Sequence, residues 1–167
     1  MTATAHPAIA LRPLLPADVP LLAEIFRASI EEQAAEDYND AQREAWASAA
    51  TDEAAFGARL GRQLTLVGTM EGSPGGFASL KAPDVIDMLY VHPAAAGHGV
   101  ATMLVDALEK LAAARGAARL TADVSDSALE FFRKRGFVPQ MRNTRPVGSE
   151  WLANTTMEKK LAAKERG

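Results

Sequence analysis

Leu89-Tyr90-Val91-His92-Pro93-Ala94-Ala95-Ala96-Gly97-His98-Gly99-Val100-Ala101-Thr102 reads as a strand stopped by a proline, a short glycine-punctuated loop and the opening of a long amphipathic helix. Pro93 cannot donate to a sheet ladder, so the strand ends before it. Gly97 and Gly99 let the main chain approach a ligand closely. The first N–H groups of the following helix lack intrahelical acceptors and, with the macrodipole, favour an anion such as a pyrophosphate. A glycine-x-glycine turn also occurs where nothing binds, so the local pattern alone leaves a plain connecting turn open.

The flanking periodicities supply the context. Val100, Met103, Leu104, Ala107, Leu108 and Leu111 fall on one helical face, and Arg115-Gly116 closes the helix. Residues 120–124 form the next strand, which makes a parallel pair with residues 85–91 through a right-handed crossover. Upstream, residues 64–70 and 75–81 read as a hairpin around Glu71-Gly72-Ser73-Pro74, after a first strand at 8–14. Val19, Leu22, Ala23, Phe26 and Ile30 mark a helix. An alanine-rich region, 31–62, follows as one or two helices broken near 48–52. Downstream, a short helix turns Ala128, Phe131 and Phe132 inward, before strands near 137–143 and 151–160. These elements predict an α/β chain: one domain over residues 1–167, mostly antiparallel, with helices on both faces of the sheet.

Composition narrows the function. A chain of 167 residues with 48% hydrophobic content holds one sizeable core. Its net charge of -3 argues against a general nucleic-acid grip; Arg133-Lys134-Arg135 reads as a solvated last helical turn. With no cysteine there is no disulfide, no thiolate zinc site and no thiol acyl-enzyme. His6, His92 and His98 lack metal-ligand spacing, so no metal is expected. No segment reads as a leader or a membrane span, and a cytoplasmic enzyme without a membrane partner is the simplest reading.

A second segment, Ser125-Asp126-Ser127-Ala128-Leu129-Glu130-Phe131-Phe132-Arg133-Lys134-Arg135-Gly136-Phe137, runs from a short helix into a Gly-Phe strand start. Together the two segments resemble the GNAT N-acetyltransferase superfamily. Its acyl-CoA loop reads Q/R-x-x-G-x-G/A and its later helix N-x-x-A-x-x-L/F-Y-x-K/R-x-G-F. Residues 96–101 match the first spacing and residues 125–137 the second. Ala96 stands for the Gln or Arg, Ser125 for the Asn and Phe132 for the Tyr. Tyr38-Asn39-Asp40-Ala41-Gln42-Arg43-Glu44-Ala45-Trp46 and the segment from Trp151 to Leu161 extend the resemblance to the YafP-like branch of bacterial acetyltransferases.

The resemblance implies acetyl-CoA as cosubstrate, transfer by direct attack of a primary amine, and a small molecule or a protein as acceptor. The parallel strands would splay, with Leu89, Tyr90 and Val91 giving the pantetheine an edge to bond. Gly97, His98, Gly99, Val100, Ala101 and Thr102 would hold the pyrophosphate, with Ser125 and Phe132 nearby. A backbone N–H near Leu89 would face the acyl oxygen. Asp87, an acid in an apolar strand, is the candidate base, and strand alternation predicts it on the face of Val85, Leu89 and Val91, opposite Tyr90. It could equally pair with an arginine. Asp123 is the second candidate. Phe132 removes the family's proton donor, a loss that a thiol leaving group tolerates. Tyr38, Gln42 and Trp46, four apart, predict a shared helix face that walls the acceptor pocket or packs in the core, with Asn154 opposite. Two other classes stay in view. One is a non-catalytic acyl-CoA-binding module; the other, a dinucleotide fold, lacks its third glycine and its early position. Exposed sheet edges allow a monomer or a homodimer.

Overall fold

The computed structural model describes residues 7–161, so His6 lies outside the described residues. Seven strands share one sheet: β1 (Ile9–Pro13), β2 (Leu64–Met70), β3 (Ser73–Lys81), β4 (Val85–Val91), β5 (Arg119–Ser125), β6 (Val138–Val147) and β7 (Glu150–Lys160). Their order is β1-β2-β3-β4-β5-β7-β6. Every neighbouring pair is antiparallel except β4 with β5. The mixed sheet expected from the sequence is therefore present, with its one parallel pair in the expected place.

Three helices cover one face: α1 (Val19–Gln33), α2 (Asp40–Ala47) and α3 (Glu53–Gly61). Asn39 caps α2 by accepting from the Gln42 N–H while the Gln42 side chain accepts from the Asn39 N–H. Asp52 caps α3 through the Ala55 N–H. The alanine-rich region is thus two helices, broken by a short turn at Ser48–Ala50. Leu22, Phe26, Ile30, Phe56 and Leu60 pack under this layer against Val67, Phe77 and Met88. The opposite face carries α4 (Val100–Ala114) and α5 (Leu129–Lys134), packed on Ala78, Leu80, Ile86, Leu120 and Val124.

The α4 stripe is rotated from the one read in the sequence. Val105 and Ala112 are buried, whereas Met103 is 37% exposed. The cause is a close approach at the helix start. Gly68 and Gly76 face each other across β2 and β3, and Val100 sits on both. A Cβ at Gly68 would lie 2.8 Å from Val100 Cγ1, and one at Gly76 3.0 Å from the same atom. Two absent side chains therefore set the height of the α4 N-terminus over the sheet. Since Val is stiff in a helix, Gly68→Ala should cost about 1–3 kcal/mol by overpacking. Denaturant melts of the single variants and of Gly68→Ala with Val100→Ala would show a coupling of at least about 0.5 kcal/mol; additive costs would mean that this contact does not position the helix.

Candidate active site

The site begins where β4 and β5 part. Their register holds only at Val85 with Thr121 and Ile86 with Ala122. One residue further on, β4 carries a bulge: Leu80 faces Ile86 and Ser79 faces Met88, so Asp87 is left between. Such an extra residue bends and twists the strand. Beyond it the β3 ladder is regular, and the His92 N–H reaches the Gly75 carbonyl at 2.8 Å. Amide direction alternates along a strand, so Met88 and Tyr90 also turn their amides to β3. Leu89 and Val91 turn theirs to the gap that β5 has left.

The gap opens beside the α4 N-terminus. Gly97 and Gly99 hold φ of 82° and 90°, and a Cβ at either would meet nothing within 4 Å. The first-turn N–H groups of Val100, Ala101 and Thr102 have no helical acceptor, while His98 and Thr102 are exposed. An open backbone cradle at a helix start suits a phosphate group. Ser125 ends β5, with its hydroxyl accepting from the Ala128 N–H at 3.2 Å. The cleft between the strands, about 150 Å³, is lined by Ile30, Leu89, Val124 and Phe132 and equally by Gln33, Asp87, Asp123 and Ser125. A narrow cleft with apolar and polar walls, next to an anion cradle, suits an acyl thioester on a phosphorylated carrier.

Adjoining it lies a wider cleft of about 460 Å³, which reaches Trp46, Tyr38 and Asn154. Asp87, Met88, Tyr90, Asp123 and Ser125 line both clefts. The two hollows meet along the open stretch of β4.

Known proteins resemble this chain over most of its length. Residues 34–161 match the family model of the acetyltransferase (GNAT) domain. The chain is 30% identical to the uncharacterised N-acetyltransferase YafP of Escherichia coli over 152 residues, 91% of this chain and 96% of that one. It belongs to the GNAT N-acetyltransferase family. A crystal structure of a GCN5-related N-acetyltransferase from Rhodopseudomonas palustris is 60% identical, covers 96% of this chain and 99% of that one, and superposes with a TM-score of 0.91. The PaiA N-acetyltransferase of Thermoplasma acidophilum, solved in complex with coenzyme A, is 22% identical over 92% of this chain and 99% of its own, and shares the fold at a TM-score of 0.77.

Within this acetyltransferase the bulge corrects the expected orientation of Asp87. Leu89 and Val91 pack toward α4, whereas Asp87 turns to α3. Its Oδ2 accepts from Arg59 Nε at 3.0 Å and from Gln63 Nε2 at 2.9 Å, and Arg59 Nη2 lies 2.9 Å away. Asp87 therefore shares a face with Tyr90, because the surplus residue interrupts strand alternation. The arginine pairing that the sequence left open is present. Oδ1 accepts no hydrogen bond among the described residues. Asp123 differs: Oδ1 accepts from the Thr156 hydroxyl at 2.6 Å, and Oδ2 is paired with Arg145. Arg59 and Gln63 were missed in the sequence, which carries no mark of which strand the end of α3 reaches.

Tyr38, Gln42 and Trp46 do not share a helix face as expected, because Asn39 starts α2 and leaves Tyr38 in the preceding turn. Tyr38 and Trp46 still meet edge to face at 5.4 Å. The buried Tyr38 hydroxyl donates to the Ala153 carbonyl at 2.6 Å and accepts the Asp126 N–H at 3.0 Å. Gln42 instead caps α2 and donates to the Trp151 carbonyl at 2.9 Å. Asn154 Oδ1 accepts from Asn143 at 3.0 Å.

Trp46 Nε1 donates to the Tyr90 hydroxyl at 3.2 Å. Burial pushes the Tyr90 hydroxyl up to about 12 and raises that of Tyr38 above the ordinary tyrosine value. Unfolded tyrosine ionises near pH ~10. The stability that the neutral Tyr90 hydroxyl contributes is thus complete below about pH 10 and is lost as pH rises through the folded value. These are the chain's two tyrosines. Alkaline titration read by tyrosinate absorbance should show clearly less than half ionisation in the folded protein at pH ~10, with a rise on unfolding. Two ordinary titrations would contradict the burial described for both rings.

Proposed function

We propose that the protein transfers the acetyl group of acetyl-CoA to a primary amine of a small molecule or a protein, by direct attack. The observation that carries this reading is the parting of β4 and β5 beside the open cradle of α4, with the acceptor-side cleft adjoining it. In this reading the whole chain is one acetyltransferase domain, cytoplasmic, monomeric or homodimeric.

Bound acetyl-CoA would supply an activated acetyl thioester. The backbone groups of residues 97–102 would hold its pyrophosphate, and Leu89 and Val91 would bond the pantetheine amides. The Leu89 N–H, turned to the gap, would donate to the acyl oxygen, where a preorganised donor is worth several kcal/mol. Transfer forms a C–N bond and breaks the C–S bond; the amine gives up a proton to a base, and the departing CoA thiolate takes one from solvent. Asp87 would take the amine's proton through its free Oδ1, with Arg59 and Gln63 fixing the carboxylate through Oδ2. Asp123, with both oxygens engaged, suits this role less. At residue 132 phenylalanine offers no proton, and the thiol leaves acceptably as thiolate.

Calorimetry with acetyl-CoA tests the cradle. A charge test belongs at His98, since any side chain at Gly99 would be strained at its φ of 90°. His98→Glu should weaken acetyl-CoA binding at least about tenfold, with thermal stability retained. Unchanged affinity would remove the assignment. Thiol release across an amine and peptide panel tests the base. Asp87→Asn should lower turnover by about two to four orders of magnitude at nearly constant acetyl-CoA affinity. Turnover within a fewfold of wild type would place the base elsewhere.

A further inference from the structure

The acceptor-side cleft continues past Asp87. A contiguous hollow of about 400 Å³ at the end of α3 is lined by Arg59, Arg62, Gln63, Lys81 and Asp87, and Arg59, Lys81 and Asp87 line the acceptor cleft as well. With three residues in common, the two hollows adjoin along Asp87 and are taken together as one groove.

Its charge is uneven. Arg59 pairs with Asp87 and Arg145 with Asp123, so these two arginines are matched. Arg62 and Lys81 line the α3 end and make no ion pair among the described residues. Asp84, in the turn between β3 and β4, lines neither hollow. The sequence showed no basic groove, because Arg59 and Arg62 come from a helix end and Lys81 from the far end of a strand. Register bounds the span: Lys81 stands opposite Val85, four residues before Leu89, which at the rise of a strand is at most about 13 Å, since the bulge at Asp87 shortens it. Lysine and arginine stems reach inward and shorten that gap.

We propose that the acceptor is an amine that also bears a carboxylate several bonds away, with the carboxylate on Arg62 and Lys81 and the amine at the open stretch of β4. The proposal rests on the acetyl-transfer reading and names its substrate class. Unmatched cations at one end of a groove attract and orient an anion. They repel the second ammonium of a diamine, which would lie end to end in the same groove. An α-amino acid, whose two groups share one carbon, is too short to span the groove.

NMR titration in the presence of CoA compares γ-aminobutyrate and ε-aminocaproate with butylamine, hexylamine and putrescine. The aminocarboxylates should bind at least about fivefold more tightly than the alkylamines, and putrescine least tightly. Both cationic residues are exposed, so the Arg62→Ala and Lys81→Ala double variant should keep its thermal midpoint while the ratio falls toward one. A ratio near one in the wild type, absence of binding by all included, overturns the proposal, as does a preference that survives both substitutions. Acetyl-CoA calorimetry on the same samples judges the underlying reading separately. Acetyl-CoA binding without a preference for aminocarboxylates leaves acetyl transfer standing and removes this assignment.

Discussion

Asp87 is one residue more than the β3–β4 ladder can pair, and the site follows from where that surplus falls. It lies directly after the last β4 residue in register with β5. The bend of a bulge and the end of a pairing therefore coincide, and β4 leaves its neighbour with two backbone positions turned into the opening. The surplus also changes which side chains share a face. Without it, Asp87 and Tyr90 would stand on opposite faces; with it, both address the cleft under α1–α3. The helix start that closes the other end of the opening is held at a fixed height by Val100 over Gly68 and Gly76. A strand irregularity and a pair of glycines, both set by backbone sterics, thus define the slot.

The wider cleft is assembled from distant segments. Tyr38 links the turn before α2, the β7 carbonyl of Ala153 and the amide of Asp126 after β5. That hydroxyl, at 5% residue exposure, satisfies two backbone groups that would otherwise be buried without partners. Trp46 packs on Tyr38 at 5.4 Å and on Tyr90 at 6.3 Å, and Tyr90 on Phe26 at 4.6 Å. The same aromatic contacts pack α1 and α2 on the sheet and wall the cleft. A wall made of core residues is rigid, and this favours geometric selection over adaptive closure around a ligand.

The fold was readable because its signals are local. Alternation, helical stripes and the glycine loop each depend on residues within one element, and the break at Ser48–Ala50 and the parallel pair both stand where the sequence put them. What the sequence misplaced depends on pairing between elements. A bulge has no local mark: Val85-Ile86-Asp87-Met88-Leu89 is an apolar run broken by one acid, which passes for a regular strand. Tyr38 looked helical because its spacing to Gln42 and Trp46 is right. The Asn39 cap, three residues before Gln42, was in the sequence and outweighs that spacing. Met103 turned outward because Val100 must sit over two glycines from another hairpin. The Arg59 and Gln63 contacts to Asp87 span 28 and 24 residues, beyond the reach of any periodicity.

Phe132 shows what the two faces each bring to the proposed chemistry. Its ring is 3% exposed, wedged edge to face between Phe131 at 5.5 Å and Phe137 at 5.0 Å, on the α4–α5 side of the sheet. A hydroxyl placed in that aromatic nest would need a partner or carry a desolvation cost. The hydroxyl of Tyr90 has a partner, the indole of Trp46, and lies on the opposite face with Asp87. If acetyl transfer proceeds as proposed, the Asp87 carboxylate and the Phe132 ring both border the narrower cleft, reaching it from opposite faces of the sheet. Proton removal would then fall to a carboxylate fixed by Arg59 and Gln63, and thiol release would depend on the sulfur's own stability as thiolate.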